Sequence, residues 1–217
     1  SSWSLRAWLL LHELGAAFEE RFEPFEPDGP SAARFRAFSP SATVPCLHHG
    51  ETVIWDSLAI AEYAAEDFPQ VWPADRAARA WARSAAAEMH SGFMALRQQC
   101  SMSIGVRVRL HEVNAALQGD IDRLCELWED GLSRFGGPFL AGEAFTAADA
   151  FYAPVVFRVR SYGLELTPEA SAYADRLHGL EGMRLWERDA LAETLREPGH
   201  DLEIAARGAV LQDRRAV

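Results

Sequence analysis

Cysteine is scarce. The three that occur, Cys46, Cys100 and Cys125, are odd in number and widely spaced. They make neither a disulfide framework nor a zinc-ligand pattern. With no Cys-x-x-Cys, dithiol redox chemistry is not expected. Positive charge is also in deficit: 21 Lys and Arg against 32 Asp and Glu leave a formal charge of −11. A phosphate backbone needs a basic face, so this balance argues against a nucleic-acid partner and against an anionic membrane surface. No apolar run approaches the roughly 20 residues that span a bilayer. Internal repeats and low-complexity tracts are missing, and the opening Ser1-Ser2-Trp3-Ser4 does not read as a secretory leader. What is present is apolar material, 49% of 217 residues, enough for the core of one large domain or two small ones. The expectation is a reduced, soluble, cytoplasmic protein.

One stretch, Thr43 to Ala64, organises the chain. Pro45 cannot donate a ladder hydrogen bond, so it belongs at the first position of a strand, Pro45 to His48. His49-Gly50-Glu51 is turn chemistry. Thr52-Val53-Ile54-Trp55 is β-branched and aromatic, which makes a second strand and a hairpin. Asp56 and Ser57 are good N-caps for a helix running from Leu58 to Asp67, closed by Phe68-Pro69.

Val44-Pro45 before a hairpin, followed by an acidic residue and Ser opening a helix written Leu-Ala-Ile-Ala-Glu-Tyr, resembles the glutathione-binding half of the cytosolic glutathione transferases. The resemblance implies a cis Val44–Pro45 bond, a Val44 backbone that pairs with the cysteinyl part of glutathione, and Asp56 and Ser57 holding the γ-glutamyl end. The chemistry of a helix N-terminus agrees, since its free N–H groups suit a carboxylate.

Ser4 and Gly15 read as the caps of a first helix of about three turns. Phe18 to Phe25 reads as a strand, Pro24 to Pro30 as a loop, Ser31 to Phe38 as a short helix and Ser39-Pro40-Ser41 as a turn. This order resembles a thioredoxin-like half without its first strand, which is expected just before Ser1. Residues 1–69 are thus read as a thioredoxin-like glutathione-binding domain, 70–76 as a linker and 77–217 as an all-helical domain. Within the latter, Ala77 to Cys100 reads as one long helix, and Leu110 to Phe135 as two segments broken near Gly119. Ser171 to His178 and Gly182 to Leu195 read as two further helices, and the tail from Pro198 is polar with no clear element. Phe139-Leu140-Ala141-Gly142 followed by Thr146-Ala147-Ala148-Asp149 matches the family's Phe-Leu-x-Gly and Thr-x-Ala-Asp signature, read here as a capping box without a chemical role.

The chemistry implied is stabilisation of the glutathione thiolate. A free thiol has a pKa of ~8.5, and lowering it by two units takes about 2.7 kcal/mol. One hydroxyl donor near a helix N-terminus is of that order. Ser1-Ser2-Trp3-Ser4 is similar to the serine motif of zeta- and tau-like classes, which places the catalytic Ser on Ser1, with Ser2 as alternative. No Tyr stands there, so a tyrosine-type mechanism is not expected. Thr43, Val44, Pro45, Asp56 and Ser57 form the implied tripeptide site. Relatives place Lys or Gln near 42 and 43 for the glycyl carboxylate, whereas this chain has Ala42 and Thr43. Weaker glutathione binding follows, or a replacement cation such as Arg34 or Arg36. The implied electrophile pocket takes Trp3, Met89, Phe93 and Arg97, with His90, Met94 and Cys100 nearby. No metal is implied. The resemblance further implies a homodimer, glutathione as co-substrate and a small apolar electrophile. A glutathione-dependent isomerase like maleylacetoacetate isomerase and a non-catalytic binding module are the alternatives.

Overall fold

The computed structural model describes residues 1–25 and 31–216. Helix α1 spans Ser2–Glu13 and is capped by Ser1, whose Oγ accepts from the Ser4 N–H at 3.2 Å. The cap is therefore Ser1 and not Ser4, because the Ser1 oxygen already satisfies the third amide of the helix. Gly15 closes α1 at φ +67°, a left-handed conformation that suits a residue without Cβ. The strand expected over Phe18 to Phe25 does not form. Phe18, Phe22 and Phe25 stay 37%, 59% and 45% exposed, so no face of this stretch is buried against a sheet. The expected loop residues Pro27, Asp28, Gly29 and Pro30 lie outside the described residues. Helix α2 is a single turn, Ala32–Phe35, shorter than expected.

Strands β1, Cys46–His49, and β2, Thr52–Trp55, form the antiparallel hairpin, with Cys46 opposite Trp55 and His49 opposite Thr52. Helix α3, Ser57–Asp67, follows directly and is capped by Asp56. A 3-10 turn, Pro69–Val71, leads to Trp72, and both Val71 and Trp72 are buried, so the expected linker packs as core.

The long helix expected from Ala77 to Cys100 is two. Helix α4 is Arg76–Ser91 and α5 is Met94–Gln99. Between them Gly92 is extended and Phe93 is left-handed at φ 56°. A Cβ on Gly92 would stand 2.8 Å from the Glu88 carbonyl oxygen. Arg97 donates from Nε to the Gly92 carbonyl at 2.9 Å and also bonds the Met89 carbonyl, satisfying acceptors that the break frees.

Strand β3, Val106–Leu110, precedes α6, Ala115–Phe135, which passes Gly119 without a break. Helices α7, Ala147–Tyr162, α8, Pro168–His178, α9, Glu181–Ala192, and α10, Pro198–Arg207, complete the helical part. Strand β4, Gly208–Asp213, then pairs antiparallel with β3. This ribbon is an addition to the helical half that the reading of its tail did not foresee.

Helix α7 is buried along nearly its whole length, as expected of a helix apolar on all sides. Trp128 of α6 meets Tyr152 of α7 and Tyr173 of α8 edge-on, at 5.8 and 4.8 Å between ring centres. The N-terminus of α7 is the capping box anticipated from Thr146 and Asp149. Asp149 is fully buried and accepts from Leu140 N at 3.0 Å, Thr146 N at 2.9 Å, Thr146 Oγ1 at 3.2 Å and Tyr173 Oη at 2.8 Å. Burial pushes its pKa up while these donors pull it down.

Replacing Asp149 with Ala strands four buried donors, each costing about 1–3 kcal/mol. Urea unfolding of Asp149→Ala is expected to show a loss of about 3 kcal/mol or more. A loss below about 1 kcal/mol would contradict this role.

Candidate active site

A cleft of about 450 Å³ opens between the start of α1, the α2 turn and the loop before β1. Ser1, Trp3, Thr43 and Val44, all named from the sequence, line it together. Ser1 enters because the chain turns into α1 there. Its Oγ spends one lone pair on the Ser4 amide, and its O–H proton has no acceptor among the described residues. Ser2 lies in the first turn of α1, half-buried, and is not part of the cleft wall.

The loop reaches the cleft through a hydroxyl relay. Ser39 Oγ meets Ser41 Oγ at 3.1 Å, and Ser41 Oγ meets Thr43 Oγ1 at 2.6 Å. The left-handed Ala42, φ 58°, turns the chain between them. The Val44–Pro45 peptide is cis. Cys46 donates from Sγ to the Phe38 carbonyl at 3.4 Å, and burial pushes its thiol pKa up against a hydrogen bond with Ser39. Such a thiol is not a nucleophile at neutral pH.

Asp56 and Ser57 do not line this cleft. They sit at the N-terminus of α3, facing the start of α1 and the end of α4. Asp56 is held at φ 74°, accepts from the Leu58 N–H at 2.7 Å and places Oδ2 3.4 Å from His90 Nε2. Burial lowers the His90 pKa, with Asp56 opposing, so at neutral pH this contact is between a carboxylate and a neutral imidazole and not an ion pair. Ser57 is 1% exposed, and its Oγ has no hydrogen-bond partner among the described residues. A buried hydroxyl without a partner is costly.

Of the expected electrophile pocket, Trp3 alone lines the cleft. Met89 is 1% exposed and Phe93 packs edge-on to Tyr152 at 6.2 Å, so both are core. Arg97 is committed to the Gly92 and Met89 carbonyls and lies over the Trp3 ring at 4.9 Å. Cys100 is buried, its pKa pushed up to about 12 by desolvation. The replacement cation expected from Arg34 or Arg36 is not in the wall either. Arg36 donates to the Pro40 carbonyl, and Arg34 stands 3.6 Å from the Glu23 carboxylate. The sequence reading missed Phe25, Ser31, Ala32, Phe35 and Glu197 as wall residues. The aromatic residues flanking a Pro-rich loop were a usable signal for Phe25 and Phe35. Nothing in the sequence signalled Glu197, which arrives from the far end of the chain. Among the described residues no group of His, Cys, Asp and Glu is placed to hold a metal, and no helix is long and apolar enough to cross a membrane.

A hairpin-bearing α/β half, a helical half and a serine-capped cleft define the fold class. The family model of the glutathione S-transferase N-terminal domain matches residues 1–67, and that of the C-terminal domain matches residues 111–188. The chain belongs to the glutathione S-transferase family, with a thioredoxin-like N-terminal domain and a helical C-terminal domain. It is 28% identical to glutathione S-transferase 1 of Dianthus caryophyllus over 170 residues, covering 76% of this chain and 77% of that one. It is also 28% identical to a probable maleylacetoacetate isomerase of Caenorhabditis elegans, over 63% of this chain and 64% of the nematode protein. Among solved structures it resembles a glutathione transferase homologue from Burkholderia with bound glutathione, at 25% identity and a TM-score of 0.64, over 88% and 92% of the two chains. Equal identity to a transferase and an isomerase leaves the reaction open.

Two outcomes follow. Removing the Ser57 hydroxyl removes an unpaired buried group, so Ser57→Ala is expected to unfold at the same or a higher temperature than the parent. A fall of several degrees would show that the hydroxyl is satisfied internally. Burial holds the His90 pKa below its usual 6.5, so the unfolded chain binds more protons as pH falls below about 7, and stability drops. His178 shares that direction. The urea midpoint is expected to fall from about pH 7 to 5.5, less steeply in His90→Asn; an unchanged slope would contradict the assignment.

Proposed function

We propose that the chain is a glutathione transferase of the serine type. The observation that carries this reading is that Ser1 and Val44, distant in sequence, face one cleft, with the donor side of the Ser1 hydroxyl uncommitted. In the proposed reaction Ser1 donates a hydrogen bond to the glutathione sulfur, and the N-terminus of α1 adds its positive dipole end. The thiol proton leaves to solvent. The thiolate then attacks an electrophilic carbon; a C–S bond forms, and the leaving group departs with the bonding electron pair.

The Val44 backbone would pair with the cysteinyl unit. Thr43 would contribute a hydroxyl and Pro45 the shape of the turn. Asp56 would take the γ-glutamyl ammonium and Ser57 its carboxylate, which gives the orphan hydroxyl a partner. The isomerase alternative needs a cationic group for a dicarboxylate, and no Arg or His lines the cleft among the described residues. A homodimer is part of the proposal, checked by sedimentation.

The test is conjugation of a generic aryl halide. Removing one donor to a developing or stabilised anion costs about 100-fold or more. Ser1→Ala is expected to lose about that factor in kcat/KM and to move the pH profile alkaline, while Ser2→Ala retains most activity. Unchanged turnover in Ser1→Ala would overturn the assignment.

A further inference from the structure

We propose that His90 is a positioning residue for the tripeptide, acting through Asp56, and that a proton on His90 weakens glutathione binding. This rests on the reading above that Asp56 takes the γ-glutamyl ammonium. The two oxygens of Asp56 have different partners. Oδ1 accepts from the Leu58 N–H at 2.7 Å and so caps α3. Oδ2 stands 3.4 Å from Nε2 of His90, which lies in the last turn of α4. The carboxylate is thus fixed by its own helix on one side and by the imidazole on the other. With 46% of the Asp56 side chain exposed, it stays open to a ligand cation.

The imidazole is itself held. Trp3 of α1 meets it edge-on at 5.2 Å between ring centres, and Phe151 of α7 lies 6.2 Å away. Trp3 lines the cleft, so one imidazole joins the cleft wall to the start of α3. Charges act on His90 from three elements: Asp56 at the cap of α3, Arg6 of α1 and Arg97 of α5. Burial disfavours its protonation, Asp56 opposes that effect, and the two guanidinium groups add to it.

A neutral imidazole carries one ring proton. On Nε2 that proton faces Asp56 Oδ2, while the buried Nδ1 has no hydrogen-bond partner among the described residues. Neutral His90 therefore orients the carboxylate and leaves its charge for an incoming ammonium. Protonated His90 offsets that charge and competes with the ammonium. By reciprocity, an ammonium bound on Asp56 drives the proton off His90.

The experiment is calorimetry with two ligands at pH 7.5 and 5.5. S-Methylglutathione has no thiol to titrate. N-Glutaryl-S-methylcysteinylglycine keeps its terminal carboxylate but lacks the γ-glutamyl ammonium. The parent chain is expected to lose about twofold to fivefold in affinity for S-methylglutathione on acidification, the size of one exposed charge pair. It is expected to show no such loss with the des-amino ligand. His90→Gln, whose amide N–H can stand where Nε2–H stands, is expected to keep its affinity at pH 7.5 and lose most of the pH slope. His90→Phe fills the space without a donor and is expected to bind about fivefold more weakly at pH 7.5. The same slope in parent and His90→Gln, an unweakened His90→Phe, or an equal acid loss with both ligands overturns the inference and leaves the transferase reading standing. Should either variant fail to fold, the two ligands on the parent decide: an acid loss confined to S-methylglutathione supports the inference. Absence of S-methylglutathione binding at pH 7.5 overturns both readings together.

Discussion

The site depends on how α1 is fixed between the two halves of the chain. Near its N-terminus Arg6 is 1% exposed, and its Nε and Nη1 have no hydrogen-bond partner among the described residues. Its guanidinium lies 4.3 Å from the Trp3 ring and 4.9 Å from Phe151 of α7. Burial, followed by repulsion from Arg97 and Arg158, lowers its pKa to about 9, so it remains charged at neutral pH. A buried charge with no carboxylate hydrogen-bonded to it is costly, and two aromatic faces, with the Asp56 charge, offset part of it. That requirement ties α1 to α7 in a single register. At the other end of α1, Gly182 of α9 donates to Glu13 Oε1 at 3.1 Å, and a Cβ there would stand 2.7 Å from Leu9 Cδ1. With both ends fixed, Ser1 has one place to be.

The second wall of the cleft is set by a different kind of constraint. The loop from Ser39 to Thr43 is shaped by its own hydroxyls and by a left-handed Ala42, and the hairpin behind it then delivers Asp56 and Ser57 to the start of α3. Among the described residues, two of the buried polar atoms without partners, Ser57 Oγ and His90 Nδ1, lie where α3 meets α4, and Trp72 Nε1 and Trp128 Nε1 are others elsewhere. The well-satisfied polar groups lie elsewhere, above all at Asp149, where four donors converge on one buried carboxylate.

Local chemistry made much of this legible in the sequence. The hairpin and α3 follow from Pro45, Gly50 and the β-branched run at 52–55, and the capping box follows from Thr146 and Asp149. The errors have physical causes. A Gly within a helical run costs ~1 kcal/mol relative to Ala, but the clash that a Cβ at Gly92 would make with the Glu88 carbonyl is a three-dimensional fact. Gly119 was read as a break, yet it is exposed and nothing opposes the helix there. The alternation Val106-Arg107-Val108-Arg109-Leu110 has the period of a strand. Its partner lies about a hundred residues further on, so pairing was not visible locally. Trp3 lines the cleft, whereas Met89, Phe93 and Arg97 share a helical run in sequence but are drawn into packing and backbone contacts. Glu197 shows the limit most plainly: a single carboxylate in a polar tail acquires meaning only when the chain folds back on Ser1.

The central claim is that a tripeptide thiol lies between Ser1 and Val44. A crystal structure with bound glutathione tests it most directly. The account predicts the sulfur within about 3.5 Å of Ser1 Oγ, the cysteinyl backbone paired with Val44 and the γ-glutamyl carboxylate on Ser57 Oγ. A tripeptide bound elsewhere, or a sulfur facing away from Ser1, would contradict it.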